Sequence, residues 1–171
     1  MPIETERRFL VKDLDDYALH DNIAGSPAYI HQGYLSLGKN IVRVRTTQWK
    51  YGSPLCWLCV KGPKVNGSGP EFEYEIPEAH AKELMLMCGA YVVSKTRYQI
   101  VPNEFGQIYE VDVFDGLNGG LVIAEVELPT INTPIKLPKF VGKEITNDFR
   151  YSNVELARNP FLTWTINERS L

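Results

Sequence analysis

In the opening segment IETERRFLV (residues 3–11), Glu4, Glu6 and Arg8 alternate with Thr5, Arg7 and Phe9. A β-strand sends residues i, i+2 and i+4 to one face, so two carboxylates and a guanidinium share one side of one strand. The alternation returns five times. IVRVRTT pairs Arg43 with Arg45, PEFEYEI brings Glu71, Glu73 and Glu75, and SKTRYQ pairs Lys95 with Arg97. YEVDVF pairs Glu110 with Asp112, AEVEL pairs Glu125 with Glu127, and Lys61 ends a strand-like stretch between them. Like charges two residues apart on a strand sit about 7 Å from each other and repel unless opposite charge lies between. Carboxylate pairs suit hard divalent cations, which take oxygen ligands. Arg and Lys suit a multiply charged anion, and the guanidinium fork matches phosphate oxygens. Both sets facing one space fit a metal-bound polyphosphate.

A solvated polar face is the plainer account of any single pair, because antiparallel sheets often keep one wet side. It fits the six together poorly, since these positions are almost purely ionic and sort by sign from strand to strand.

The elements that must carry these residues are strands at about 3–11, 29–37, 41–49, 55–61, 71–77, 92–102, 107–114 and 121–128, separated by links rich in Gly, Asn and Pro. Such short links predict an antiparallel meander, because parallel strands need long crossovers. About eight strands closing on themselves enclose a lumen wide enough for one small ligand. The expected fold is therefore mainly β: an eight-stranded antiparallel closed barrel with charges inward and a few peripheral helices over the apolar exterior. PEAHAKELMLMCGA (77–90) predicts a helix stopped at Gly89, with Ala81, Leu84, Met85 and Cys88 on one face. DLDDYALHDNI (13–23) is a weaker helix candidate, and YSNVELARN suggests one short helix near the carboxyl end. The tail FLTWTINERSL either packs on the barrel or hangs free; its sequence does not choose.

Length (171 residues) and a 44% hydrophobic content predict one domain with one core, spanning residues 1–171. A net charge of −3 excludes a global basic field toward nucleic acid or membrane, though not a local cationic pocket. No apolar run reaches the length of a membrane span or of a signal-peptide core, and a soluble cytoplasmic protein, monomer or homodimer, is expected. Three cysteines fit a reducing compartment. Cys56 and Cys59 have CxxC spacing, but on a strand that odd separation sends them to opposite faces, and no second pair completes a zinc site. They are expected to be structural thiols.

In order along the chain, ETERR, QGYL, VRVR, VKG, EYEI, KTRY, YEVDVF, AEVEL and GKEITNDFRYSNVELA resemble the CYTH family, the triphosphate tunnel metalloenzymes. The nine motifs run in register from residue 4 to residue 157. The resemblance implies an eight-stranded tunnel, Mg²⁺ or Mn²⁺ held by acidic side chains, and a small-molecule triphosphate gripped by basic ones. Within that family the chain looks most like the short inorganic triphosphatases. A class IV adenylate cyclase, a thiamine or nucleoside triphosphatase and a non-catalytic polyphosphate- or nucleotide-binding module are the alternatives. Two departures stand out: Arg8 occupies the position of the family's signature lysine, and Glu71 stands where a basic residue often precedes the glutamates of the fifth strand.

On this resemblance Asp112, Glu125 and Glu127 are expected to hold the metal, with Glu4 and Glu6 holding a second cation or orienting water. Arg8, Arg43, Arg45, Lys61, Lys95 and Arg97 are expected to clamp the phosphates and fix an in-line geometry. Tyr34, Lys95 and Arg8 are the catalytic candidates, Tyr34 either as proton acceptor or as oriented hydrogen-bond donor. Glu73, Glu75 and Lys143 are further candidates. Trp49, Tyr51 and Trp57 are the aromatic residues that an organic triphosphate would need at the tunnel mouth.

Overall fold

In the computed structural model, residues 5–12, 23–63, 70–100, 107–130 and 132–169 are described. Nine strands form one sheet: β1 (Thr5–Val11), β2 (Ala28–Leu37), β3 (Ile41–Trp49), β4 (Leu55–Lys61), β5 (Glu71–Glu75), β6 (Val92–Ile100), β7 (Tyr109–Phe114), β8 (Val122–Leu128) and β9 (Val141–Glu144). Their order is β5-β4-β3-β2-β6-β7-β8-β1-β9 and every pairing is antiparallel. The first eight strands are those read from the alternation, within about two residues at their ends, as expected for assigned boundaries. Two details differ from the expected closed eight-stranded barrel. A short ninth strand follows the Pro-rich stretch, and no ladder joins β5 to β9 among the described residues, so the sheet is open between them.

Register settles which side each residue faces. Glu6 lies opposite Glu127 and Arg8 opposite Glu125; Glu110 pairs with Glu125 and Arg97 with Asp112. Arg45 lies opposite Gln32, Arg43 opposite Tyr34, and Cys59 opposite both Arg43 and Glu73. All the charged alternations therefore share one face. The opposite face is mostly apolar and is covered over two stretches, while Tyr29, Phe72 and Tyr74 on it are exposed. Phe9, Val111, Ala124 and Val126 pack with Ile135, Phe140 and Val141 of the segment after β8. Farther along, Val44 and Cys56 pack beneath helix α1 (Glu78–Met87) through Ala81, Leu84, Met85 and Cys88, the face expected from the sequence.

Two glycines make this packing possible. A Cβ on Gly33 would come within 2.6 Å of Cys88 Sγ, so only glycine lets the end of α1 lie against β2. Gly89 has φ +59°, the left-handed conformation that ends a helix, and α1 stops just before it.

The charged face itself turns apolar at one end. There Leu10, Val93, Phe114, Leu121 and Ile123 meet Tyr151, Leu156, Ala157, Phe161 and Trp164. This cap comprises helix α2 (Asn153–Arg158), 3-10 turns at Phe149–Tyr151 and Phe161–Thr163, and helix α3 (Ile166–Arg169). Trp164 stands edge-on to Tyr151 and Phe161 at centroid distances of 5.1 and 5.2 Å. Buried Asn118 ties the cap down: its amide donates to Leu156 O (3.3 Å) and its oxygen accepts from Phe161 N (2.8 Å). The tail whose role the sequence left open thus packs on the sheet. The candidate helix at 13–23 lies outside the described residues except Ile23, which bridges to Ile100. No helix among the described residues is long and apolar enough to cross a membrane.

Candidate active site

Strands β6, β7 and β8 form one wall of the charged face. Lys95 and Asp112, each 1% exposed at the side chain, form an ion pair. Arg97 grips the same carboxylate with two bonds, Nε to Oδ1 at 2.6 Å and Nη2 to Oδ2 at 2.7 Å, and also reaches Glu125 (2.8 Å) and Glu110. Burial pushes the Asp112 carboxyl up, but Lys95 and Arg97 more than offset it and hold it below the usual carboxylate range. Burial pulls the Lys95 ammonium down, and neighbouring Arg97 adds to the fall. Glu125 goes the other way: burial lifts its pKa, and the like charges of Asp112 and Glu6 reinforce the shift against the pull of Lys95 and Arg97.

Strands β2 and β3 form the other wall, which is cationic and short of acids. Arg43 is buried; it reaches Glu73 of β5 at 2.8 Å, while its Nε has no hydrogen-bond partner. Arg45 has no carboxylate in ion-pair contact among the described residues, and its Nε donates only to the neutral amide oxygen of Gln32 at 3.2 Å. Burial and the like charges of Arg43 and Arg97 pull its pKa down to about 10, which leaves it charged at neutral pH. Three guanidiniums crowd one space, and Arg45 among them lacks an anion.

Tyr34 lies between Arg43 and the cap. Burial pushes its phenol up to about 12 against the pull of Arg43 and Arg45, so it keeps its proton at neutral pH. The protonated phenol is in the form that can donate a hydrogen bond.

Other expected residues are placed differently. The Arg8 guanidinium donates to the carbonyls of Thr146 (3.3 Å) and Tyr151 (3.4 Å) and lies 3.7 Å from Glu6, so it fastens β1 to the cap. Lys61 pairs with Glu71 at 2.7 Å, which also accepts from the Cys59 thiol at 3.3 Å. Cys59, Glu71 and Glu73 bring their ligand atoms within 4.8 Å of one another, but Lys61 and Arg43 already neutralise the two acids. The Cys59 thiol, pushed up to about 11 chiefly by burial, stays protonated. As expected, Cys56 turns to the opposite face, and all three cysteines are free. Glu75 is exposed opposite Trp57. Lys143 is exposed on β9, at a groove of about 580 Å³ formed by residues 143–148. Glu4 lies outside the described residues. Sequence reasoning passed over Glu110 and Gln32 as site residues. Both stood in its motifs, and their partners become visible only through the register of neighbouring strands.

The donor set fits a divalent metal. Glu6, Glu110, Asp112, Glu125 and Glu127 occupy one face of three adjacent strands and offer only hard oxygen donors. Burial first, and then the like charges of Asp112 and Glu6, raise the Glu125 pKa, a cost that a bound cation would relieve.

Comparison with known proteins agrees with this geometry. A family model for the CYTH domain matches residues 2–159. An inorganic triphosphatase from Acetivibrio thermocellus is 40% identical over 160 residues, covering 92% of this chain and 95% of the relative. One from Nitrosomonas europaea is 32% identical over 157 residues, covering 90% and 96%. A crystal structure of an inorganic triphosphatase superposes with a TM-score of 0.65 at 29% identity, covering 92% of this chain and 95% of that one. The chain belongs to the CYTH domain family.

Proposed function

We propose that the protein is a metal-dependent triphosphatase that hydrolyses a terminal phosphoanhydride, with inorganic tripolyphosphate as substrate. The observation that carries this reading is the pairing of walls. Half-buried Arg45, crowded by Arg43 and Arg97, has no carboxylate in ion-pair contact among the described residues, and the acids of β7 and β8 share its face of the sheet. A chain of phosphates supplies the anion that Arg45 lacks, and its cation suits the oxygen donors of the acids. The two curated relatives carry the name inorganic triphosphatase, which supports the same substrate class.

Arg43, Arg45 and Arg97 grip phosphate oxygens, with Lys61 and Lys95 at the flanks, and hold the chain in line for attack by water. Glu6, Glu125 and Glu127 would hold Mg²⁺ or Mn²⁺, with Glu4 and Asp112 completing the acidic set. The ion neutralises charge on the phosphate oxygens when bound. Asp112 keeps Lys95 and Arg97 fixed, Tyr34 donates a hydrogen bond, and Arg8 fastens β1 to the cap. The cap closes one end of the charged face, so substrate enters from the other. Trp49 and Trp57 lie half-buried on that face, which supports an organic triphosphate as a second reading.

The test is phosphate release from tripolyphosphate, ATP and thiamine triphosphate, each with Mg²⁺ or Mn²⁺. Fastest turnover of tripolyphosphate is expected. Cyclic AMP from ATP would point instead to a cyclase, and tight binding without turnover to a binding module.

A further inference from the structure

Gln32 is fully buried on the charged face and lies two residues from Tyr34 on the same strand. Its amide has one physically allowed orientation. Arginine offers donors only, so the Gln32 oxygen must face Arg45 Nε, 3.2 Å away. Its NH₂ group then faces Tyr34 and donates to the phenol oxygen at 3.0 Å. The phenol proton cannot return along that bond. No carbonyl or carboxylate among the described residues accepts it, and the neighbouring charged groups on β3, Arg43 and Arg45, are themselves donors. Tyr34 is 3% exposed, so water does not readily take the proton either. A buried hydroxyl without an acceptor is costly unless something supplies one.

We infer that Gln32 is a positioning residue: relayed from Arg45, its amide fixes the Tyr34 hydroxyl as a donor toward an oxygen of the bound phosphate chain. The inference rests on the triphosphatase reading and deepens it. Arg45 then acts twice, as a charge that attracts the anion and as the group that sets the direction of the relay. The relay favours unprotonated phosphate oxygens, which accept, over hydroxyl-bearing groups, which compete as donors.

A double-mutant cycle tests it. Tyr34→Phe removes the donor, and Gln32→Met removes the relay at similar length. Each should lower kcat/KM for tripolyphosphate by roughly ten- to hundredfold, the worth of a hydrogen bond to a charged group. The double variant should be no worse than Tyr34→Phe alone, whereas additive losses would overturn the inference. Gln32→Glu, which accepts from Arg45 and from Tyr34 alike, withdraws the phenol proton from substrate and serves as the second variant should Gln32→Met fail to fold. A readout without turnover is the ¹³Cζ resonance of Tyr34 in tyrosine-labelled protein, assigned by Tyr34→Phe. Metal-free tripolyphosphate should move it in the wild type and not in the Gln32 variants; an equal response in both overturns the proposal. Wild-type protein that binds tripolyphosphate and shows the response, yet releases no phosphate, would sink the triphosphatase reading and leave the relay standing.

Discussion

On the β6–β7–β8 wall each buried cation has its acid: Lys95 meets Asp112, and Arg97 spans Asp112, Glu110 and Glu125. On the β2–β3 wall, a few ångströms of side chain away, Arg45 has an amide and Tyr34 has a donor where an acceptor should be. Both walls come from the same i, i+2 alternation; Lys95, Asp112 and Arg43 are buried, and Arg45 and Arg97 partly so. Charges in the first wall are paired within the fold, so removing one harms stability. In the second, Arg43 has the exposed Glu73 and Arg45 has no carboxylate in ion-pair contact among the described residues, so removing Arg45 harms binding. The largest effect should therefore come from the paired wall. Asp112→Asn leaves Lys95 buried without a counter-ion and breaks the two-bond grip of Arg97. A loss of about 3–5 kcal/mol is expected in urea unfolding, whatever happens to activity. Replacing Lys95 and Asp112 together with Met and Leu should return much of that loss, because a buried pair is often no better than packed apolar groups.

Arg45→Met reverses the balance. The guanidinium bears the cost of burial with no carboxylate in return, so unfolding stability should hold or rise. The KM for tripolyphosphate should rise by roughly tenfold or more, the worth of one charged hydrogen bond. A stability loss as large as that of Asp112→Asn would break the distinction between the walls.

pH and metal sharpen the comparison within the paired wall. The pKa of Asp112 is depressed by folding, so its contribution is fully present above the unfolded value, about 4, and is lost as pH falls through the depressed one. Glu125 has the opposite sign. Its pKa is raised, so the folded state loses stability as pH climbs from the unfolded value through the raised one, unless a cation takes the charge. Melting curves near neutral pH should thus show Mg²⁺ or Mn²⁺ stabilising the wild type. Glu125→Gln should melt higher than metal-free wild type and gain less from the ion. An equal gain from metal in both proteins would remove Glu125 from the cation site.

How far these walls were legible depended on which interactions are local. Alternation within a strand is local, so the bounds of β2, β3 and β4 and the shared face of Arg43 and Arg45 could be read directly. The stop at Gly89 and the buried face of α1 likewise follow from spacing along one element. Pairing across strands is not local. Nothing in SKTRYQ says that Arg97 will hold Asp112, or that Lys95 will be wholly buried beside it, because both depend on the register of β6 against β7. Arg8 shows the same limit more sharply. The resemblance assigns it to the phosphate clamp, and the partners of its guanidinium in the fold, the carbonyls of Thr146 and Tyr151, lie more than 130 residues away along the chain, while its Nε has no hydrogen-bond partner. Strand β9 was missed because four residues after a Pro-rich run carry too little alternation to show. Of the cap, the short helix α2 was legible, but whether the tail packs was not, because Phe161 and Trp164 find their cavity only once the sheet has formed.

Lys143 gives the smallest expected effect. It falls in a family motif, and sequence alone cannot tell a tunnel lysine from a surface one. In the structure it is exposed on β9, beyond β1 and away from both walls, and its nearby charge is Asp148. A solvated lysine there contributes little through long-range attraction, since salt screens it within about 8–10 Å. Lys143→Ala should therefore change the KM for tripolyphosphate by less than about twofold, the usual range of a surface substitution. That small change should shrink further as salt is added, while more of the Arg45→Met effect should persist because Arg45 is half-buried and less screened. If instead Lys143→Ala raised KM as much as Arg45→Met and kept doing so at high salt, the anion would have to reach the open edge at β9. The cationic wall would then extend across the gap between β5 and β9 rather than end at β3.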